Sequence, residues 1–80
     1  MQQVAVVRRL GGYLVVIDPW LGRNGWFSPR YWIYGEDNLA AEPVASDELP
    51  AVCPDASSAI ARSEELARAK LADMVRARRP

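Results

Sequence analysis

The chain has 80 residues, half of them hydrophobic, and its 10 basic and 10 acidic side chains cancel. That length suits one small domain, and that hydrophobic fraction argues against a disordered chain. A single cysteine, Cys53, excludes an intramolecular disulfide, and no apolar run reaches the length of a membrane span.

The first recognisable unit is Val4 to Asp18. Two runs rich in β-branched residues flank Gly11-Gly12, and a tight primed turn needs the positive φ that glycine supplies without steric cost. Pairing through that turn sets Leu10 against Tyr13, Arg8 against Val15, Val7 against Val16 and Val6 against Ile17. Side chains alternate across a sheet. One face therefore collects Val4, Val6, Arg8, Leu10, Tyr13, Val15 and Ile17. The other collects Ala5, Val7, Arg9, Leu14, Val16 and Asp18.

A second turn follows at Gly22-Arg23-Asn24-Gly25. With Asn24-Gly25 as a two-residue turn, Arg23 faces Trp26, Val16 faces Ile33 and Ile17 faces Trp32. Pro19 and Pro29 fall almost opposite each other. Neither can donate to a ladder, so a bulge or break is expected there. The third strand is Arg30–Tyr34, closed by Gly35.

Residues 36–54 read as an acidic connection punctuated by Pro43, Pro50 and Pro54. Its length is unusual for a small domain. A helical turn near Asn38–Glu42 or a brief edge strand near Pro43–Ala45 would shorten it. From Ser57 to Arg78 helix formers dominate, with Asp55 or Ser57 as the N-cap. Ala56, Ile60, Ala67, Leu71, Met74 and Val75 line the apolar stripe; Arg62, Glu65, Ala69, Asp73 and Arg76 lie opposite. Glu64 and Arg68 sit four apart in the favourable order. The expected fold is α+β, a three-stranded antiparallel meander packed by one long C-terminal helix. It forms a single domain over 1–80: meander 4–35, acidic loop 36–54, helix 55–79.

Charge is sorted along this layout. Residues 1–35 hold four arginines against Asp18, 36–55 hold six acids and no base, and 56–80 hold six bases against three acids. Such sorting supports internal balance, with the acidic segment over basic neighbours, or a bipolar surface for a charged partner. The lone cysteine and the absence of a signal-peptide pattern in Met-Gln-Gln-Val make a reduced, cytoplasmic setting the expectation.

Recognisable catalytic chemistry is missing from the sequence. Without histidine, the commonest general base and metal ligand is absent. Cys53 has no sequence neighbour to lower its pKa and reads as a partly buried spectator. Glycines 11, 12, 22 and 25 match no phosphate-loop or dinucleotide fingerprint. The acids of the loop lack the spacing of a calcium site. The expectation is a chain that is not an enzyme and carries no cofactor or metal.

All seven aromatics, Tyr13, Trp20, Trp26, Phe27, Tyr31, Trp32 and Tyr34, lie in the sheet half. They cap a small core or form an exposed anchor set. Tryptophan, tyrosine and arginine dominate interface hot spots. The candidate partner-binding residues are therefore Trp20, Arg23, Trp26, Phe27, Arg30, Tyr31 and Trp32. One helix covers only one face of the sheet. The other, with Val7, Leu14, Val16 and Ile33, calls for a second copy, a folded-back loop or another protein. Aromatics with arginines also suit single-stranded nucleic acid, against which stand the neutral chain and its acidic loop.

The order Gly-Tyr-Leu-Val-Val, Asn-Gly turn, Tyr-Trp-Ile-Tyr-Gly, acidic loop and a Glu-Glu-Leu-Ala-Arg-Ala helix (Glu64–Ala69) resembles small sheet-plus-helix proteins of bacteria and phages, anti-CRISPR proteins among them. The resemblance covers most of the chain as a pattern and contains no diagnostic motif. It implies a stoichiometric inhibitor that binds a host protein or nucleoprotein complex, and it assigns no functional residue.

Overall fold

The computed structural model describes residues 5–35 and 42–78, the side chain of Arg78 excepted. Strand β1 (Val6–Leu10) turns into β2 (Tyr13–Ile17) through Gly11 at φ 54° and Gly12 at φ 85°. Two consecutive left-handed residues define the tight primed turn, and it imposes the expected register, from Leu10 opposite Tyr13 to Val6 opposite Ile17.

The second turn is one residue longer than a two-residue hairpin. The Gly22 amide donates to the Trp26 carbonyl (2.8 Å), the Gly25 amide donates to the Gly22 carbonyl (3.1 Å), and Gly25 sits at φ 82°. Arg23, Asn24 and Gly25 thus form a three-residue loop whose last member is left-handed. It joins β3 (Trp20–Leu21) to β4 (Phe27–Ser28), and β5 (Arg30–Gly35) follows. The extra residue shifts the pairing by one. Val16 lies opposite Trp32 rather than Ile33, and Ile17 opposite Tyr31 rather than Trp32. A one-residue slip exchanges the faces of a strand. Tyr31 and Ile33 therefore point into the core, and Trp32 lies on the opposite face with Val16.

The proline break is present. The registers on either side place Pro19 against Pro29, and the ladder splits there into β2–β5 and β3–β4.

The sheet has four strands, not three, in the order β1-β2-β5-β6. Strand β6 (Ala45–Glu48) comes from the segment expected to be a loop. It pairs antiparallel with β5, with Trp32 opposite Ser46 and Arg30 opposite Glu48. The outer edge of β5 needs partners for its amides and carbonyls, and this segment supplies them. Of the two alternatives weighed, the edge strand forms, slightly later than Pro43–Ala45. The helical turn near Asn38–Glu42 falls almost wholly outside the described residues. Beyond β6 the chain follows the edge of β4. The Leu49 amide donates to the Pro29 carbonyl (2.9 Å), the Ser28 hydroxyl donates to the Leu49 carbonyl, and Phe27 and Cys53 exchange backbone bonds of 2.7 and 3.0 Å.

Helix α1 (Ala56–Arg78) starts at Asp55, whose Oδ1 accepts the Ser58 amide at 2.7 Å. Its buried row is Ala59, Ser63, Ala67 and Leu71, one residue every four. Ala67 and Leu71 are where the spacing puts them. Ile60 and Met74 pack at the margin, and Val75 is 47% exposed. Short side chains in the buried row let the helix approach the sheet, and the Ser63 hydroxyl donates to the Ala59 carbonyl (2.7 Å), so its burial leaves no orphan polar atom. The core is Val15, Ile17, Tyr31 and Ile33 from the sheet against Ala67 and Leu71. Burying one such aliphatic side chain contributes about 1.5–3 kcal/mol.

Candidate binding surface

The fold brings three candidates together on the face of the sheet turned away from α1. Arg30 lies with its guanidinium 5.2 Å from the ring centre of Trp20 and 5.0 Å from that of Trp32. A cation between two indoles is attracted by both ring faces. Asp18 fixes it further: Arg30 Nε donates to the Asp18 carbonyl (2.8 Å) and Nη2 to Asp18 Oδ2 (3.0 Å). The two side chains are largely shielded from water, at 19% and 25% exposure. Backbone and carboxylate thus hold Arg30, and Arg30 holds two tryptophans. This arrangement bridges the proline break, joining the β3–β4 hairpin to the main sheet.

The hairpin carries the exposed candidates. Trp20 and Trp26 are 57% and 45% exposed, and Arg23 stands at the loop tip. Asn24 Oδ1 accepts the Trp26 amide (3.0 Å), which fixes the backbone at the base of that ring. Leu21 and Val52, both more than half exposed, add apolar surface at the same end. Sequence reasoning passed over these two because neither is aromatic. It also missed Asp18 as the anchor of Arg30, since eleven residues separate them in the chain.

Two candidates are not available for contact in the same way. Tyr31 belongs to the core at 3% exposure, because the register shift turns it toward α1. Burial raises its phenol above the ordinary value, and the facing carboxylate of Asp47 adds to the shift. Phe27 is half-buried beside Cys53, which is itself buried.

The loop-side role of Gly22 is also new. A Cβ there would meet Ala51 Cβ at 2.9 Å and the Trp26 carbonyl oxygen at 3.3 Å. Gly22 serves close approach of the 49–53 segment rather than an unusual φ.

Elsewhere, a shallow cleft of about 210 Å³ opens between the β1–β2 turn and α1, lined by Leu10, Gly11, Tyr13, Arg68, Leu71 and Val75. It is smaller than the usual range for small-molecule sites, about 300–1,000 Å³. The shifted carboxyls are structural: Asp55 caps the helix, and Glu64 pairs with Arg8 and Arg68. Among the described residues no helix is long and apolar enough to cross a membrane. No family model, curated protein or solved structure matches the chain.

Proposed function

We propose that the chain is a non-enzymatic protein-binding module and that its contact surface is the β3–β4 hairpin. The observation that carries this reading is the concentration of Trp20, Leu21, Trp26 and Val52, all more than two-fifths exposed, at one end of the molecule. Large apolar side chains gathered this way favour burial against another surface. Arg30 and Trp32 hold Trp20 from below, so the ring meets a partner with little conformational freedom left to lose. Arg23 at the tip adds a guanidinium that pairs with a carboxylate or stacks on an aromatic.

A protein partner suits this end better than a nucleic acid. The Arg30 charge is already met by Asp18, and Asp47 and Glu48 lie on the neighbouring strand. Phosphates gain little there. The narrower reading, a stoichiometric inhibitor of a host protein or nucleoprotein complex, rests on the resemblance of layout.

Affinity capture from the native host tests the proposal. The wild-type chain retains a defined protein through moderate salt. Trp26→Ala weakens that retention at least about tenfold, the scale of a hot-spot tryptophan, and leaves the melting temperature nearly unchanged. Retention of oligonucleotide with steep salt dependence would replace this reading with the nucleic-acid one. Unfolding of Trp26→Ala would make Trp26 a structural residue.

A further inference from the structure

The β3–β4 hairpin and the segment that follows its edge share a composition unlike the rest of the chain. Residues 19–29 and 49–54 hold one charged side chain, Arg23, in a chain of which 25% is charged. The two stretches form one structural unit. Phe27 and Cys53 exchange backbone bonds, the Ser28 hydroxyl donates to the Leu49 carbonyl, and Asn24 Nδ2 donates to the Ala51 carbonyl (3.5 Å). Trp20, Leu21, Trp26 and Val52 stand exposed on this unit. Among the described residues the other exposed large apolar side chains, Val7, Val44 and Val75, lie apart on β1, before β6 and on α1. Aromatic side chains with arginine and few other charges are the composition of an interface core.

The arginine of this unit differs from the others. Arg8, Arg30, Arg62, Arg68 and Arg76 are in ion pairs, and Arg9 is engaged as well. Among the described residues Arg23 alone of the arginines makes no hydrogen bond, ion pair or ring contact, and it is exposed. We infer that the protein bound by the hairpin presents an apolar surface with one carboxylate set in it, and that Arg23 pairs with that carboxylate. This rests on the hairpin being the contact surface.

The cost of an unpaired charge carries the argument. The loop that bears Arg23 joins Leu21 to Trp26, so a partner that buries those side chains takes the guanidinium out of water with them. Arginine stays protonated in proteins, and an uncompensated buried charge is strongly unfavourable. The unit contains no acid of its own, and Asp18 beside it is committed to Arg30. The counter-charge therefore comes from the partner. A carboxylate matches the planar guanidinium with two parallel N–H···O bonds. A phosphate backbone would bring a row of charges against one cation, with Glu48 opposite Arg30 at the margin. The loop is fixed before contact: the Gly25 amide donates to the Gly22 carbonyl, and Asn24 Oδ1 accepts the Trp26 amide. Little order remains to be gained on binding.

The protein retained in the capture experiment, once purified, is the probe. Its affinity for the wild-type chain should fall as salt rises. Arg23→Gln should bind at least about tenfold more weakly at low salt, lose that salt dependence and keep the wild-type melting temperature. Arg23→Lys adds a chemical readout. Carbodiimide condenses an amine with a carboxylate, and the chain's one native lysine, Lys70, lies on α1. In the complex, Arg23→Lys should join position 23 to a single partner carboxylate flanked by apolar residues. Wild type, whose guanidinium does not react, should show no link there. Wild-type affinity in Arg23→Gln, weaker binding with an unchanged salt dependence, or no link at position 23 in Arg23→Lys each overturns the inference. If Trp26→Ala weakens binding in the same assay, the hairpin remains the contact surface and only the carboxylate falls. If Trp26→Ala binds like wild type, or no protein is retained, the protein-binding reading falls and takes this inference with it.

Discussion

The two faces of the sheet are built from the same strands and completed differently. On one, Val15, Ile17, Tyr31 and Ile33 are closed by Ala67 and Leu71 of α1, with three aliphatic side chains and one aromatic on the sheet and mostly short ones on the helix. On the other, Leu14, Val16, Trp32 and Tyr34 have no helix over them among the described residues, and an arginine beside two indoles ties the strands together. Strand β2 reads Tyr-Leu-Val-Val-Ile, apolar at every position. Such a strand is suited to cover on both sides, and the described chain covers one. The difference teaches that helix packing stabilises one side, while cross-strand and cation–ring contacts organise the other.

The sharpest way to break this comparison is to put a charge into the closed face. Leu71 is 9% exposed against the core, and Leu71→Asp should cost about 3–5 kcal/mol, enough to unfold a domain of this size. On the outer side of the same helix, Arg62 is half exposed and pairs with the exposed Glu65. Arg62→Asp should change stability by less than about 0.5 kcal/mol. Urea denaturation of both variants decides. Equal losses would mean that the buried row of α1 is misassigned.

The closed face was largely legible in the sequence, because Gly11-Gly12 fixes the first register and both Ala67 and Leu71 follow helical spacing. The bare face was legible in composition but not in membership. Asn24-Gly25 is a strong two-residue turn signal, yet Arg23 joins the loop, and one added residue exchanges Trp32 with Ile33 and draws Tyr31 inward. Nothing local separates the two turns, since both place a left-handed glycine at the same position in the chain. Strand β6 was offered only as one alternative, because Ala45-Ser46-Asp47-Glu48 has little strand propensity and is ordered by the open edge of β5. The Arg30–Asp18 anchor depends on that pairing, so it could not be seen before the register was known.

A smaller perturbation sharpens the comparison at the hairpin, where the two faces meet beyond the proline break. Gly22→Ala drives a methyl group against Ala51, whose Cβ is rigidly attached to the 49–53 segment. Overpacking of this kind costs about 1–3 kcal/mol. The segment should lift from β4, and its backbone bonds to Phe27 should weaken. Cys53 reports this directly: it is 8% exposed in the folded chain, and its reaction with a thiol reagent should accelerate in Gly22→Ala. Unchanged thiol reactivity would show that the loop accommodates the methyl group without moving.

The smallest expected effect concerns the ionic tie that flanks the closed face. Arg8 of β1 reaches Glu64 of α1 at 3.1 Å, and Arg68 reaches the other carboxylate oxygen at 3.2 Å. The hydrogen bond from Arg68, then that from Arg8, lowers the Glu64 pKa below its ordinary 4.5. Asp55 is also lowered, chiefly by the Ser58 amide. A carboxyl depressed in the folded state contributes stability above its unfolded pKa, and that contribution is lost as pH falls through the folded value. The melting temperature should therefore drop between about pH 5 and about pH 3, the window that ordinary carboxylates define. Glu64→Gln should lower it at neutral pH and flatten the acid slope. Asp55→Asn should flatten the slope while keeping the cap, because asparagine accepts the same amide bond without a charge. Raising salt should weaken the Glu64 effect more than the Asp55 effect, since the former is a partly exposed ion pair and the latter is a backbone hydrogen bond. An acid slope identical in wild type and Glu64→Gln would show that the tie between β1 and α1 does not hold in solution, leaving the apolar core alone to join helix and sheet.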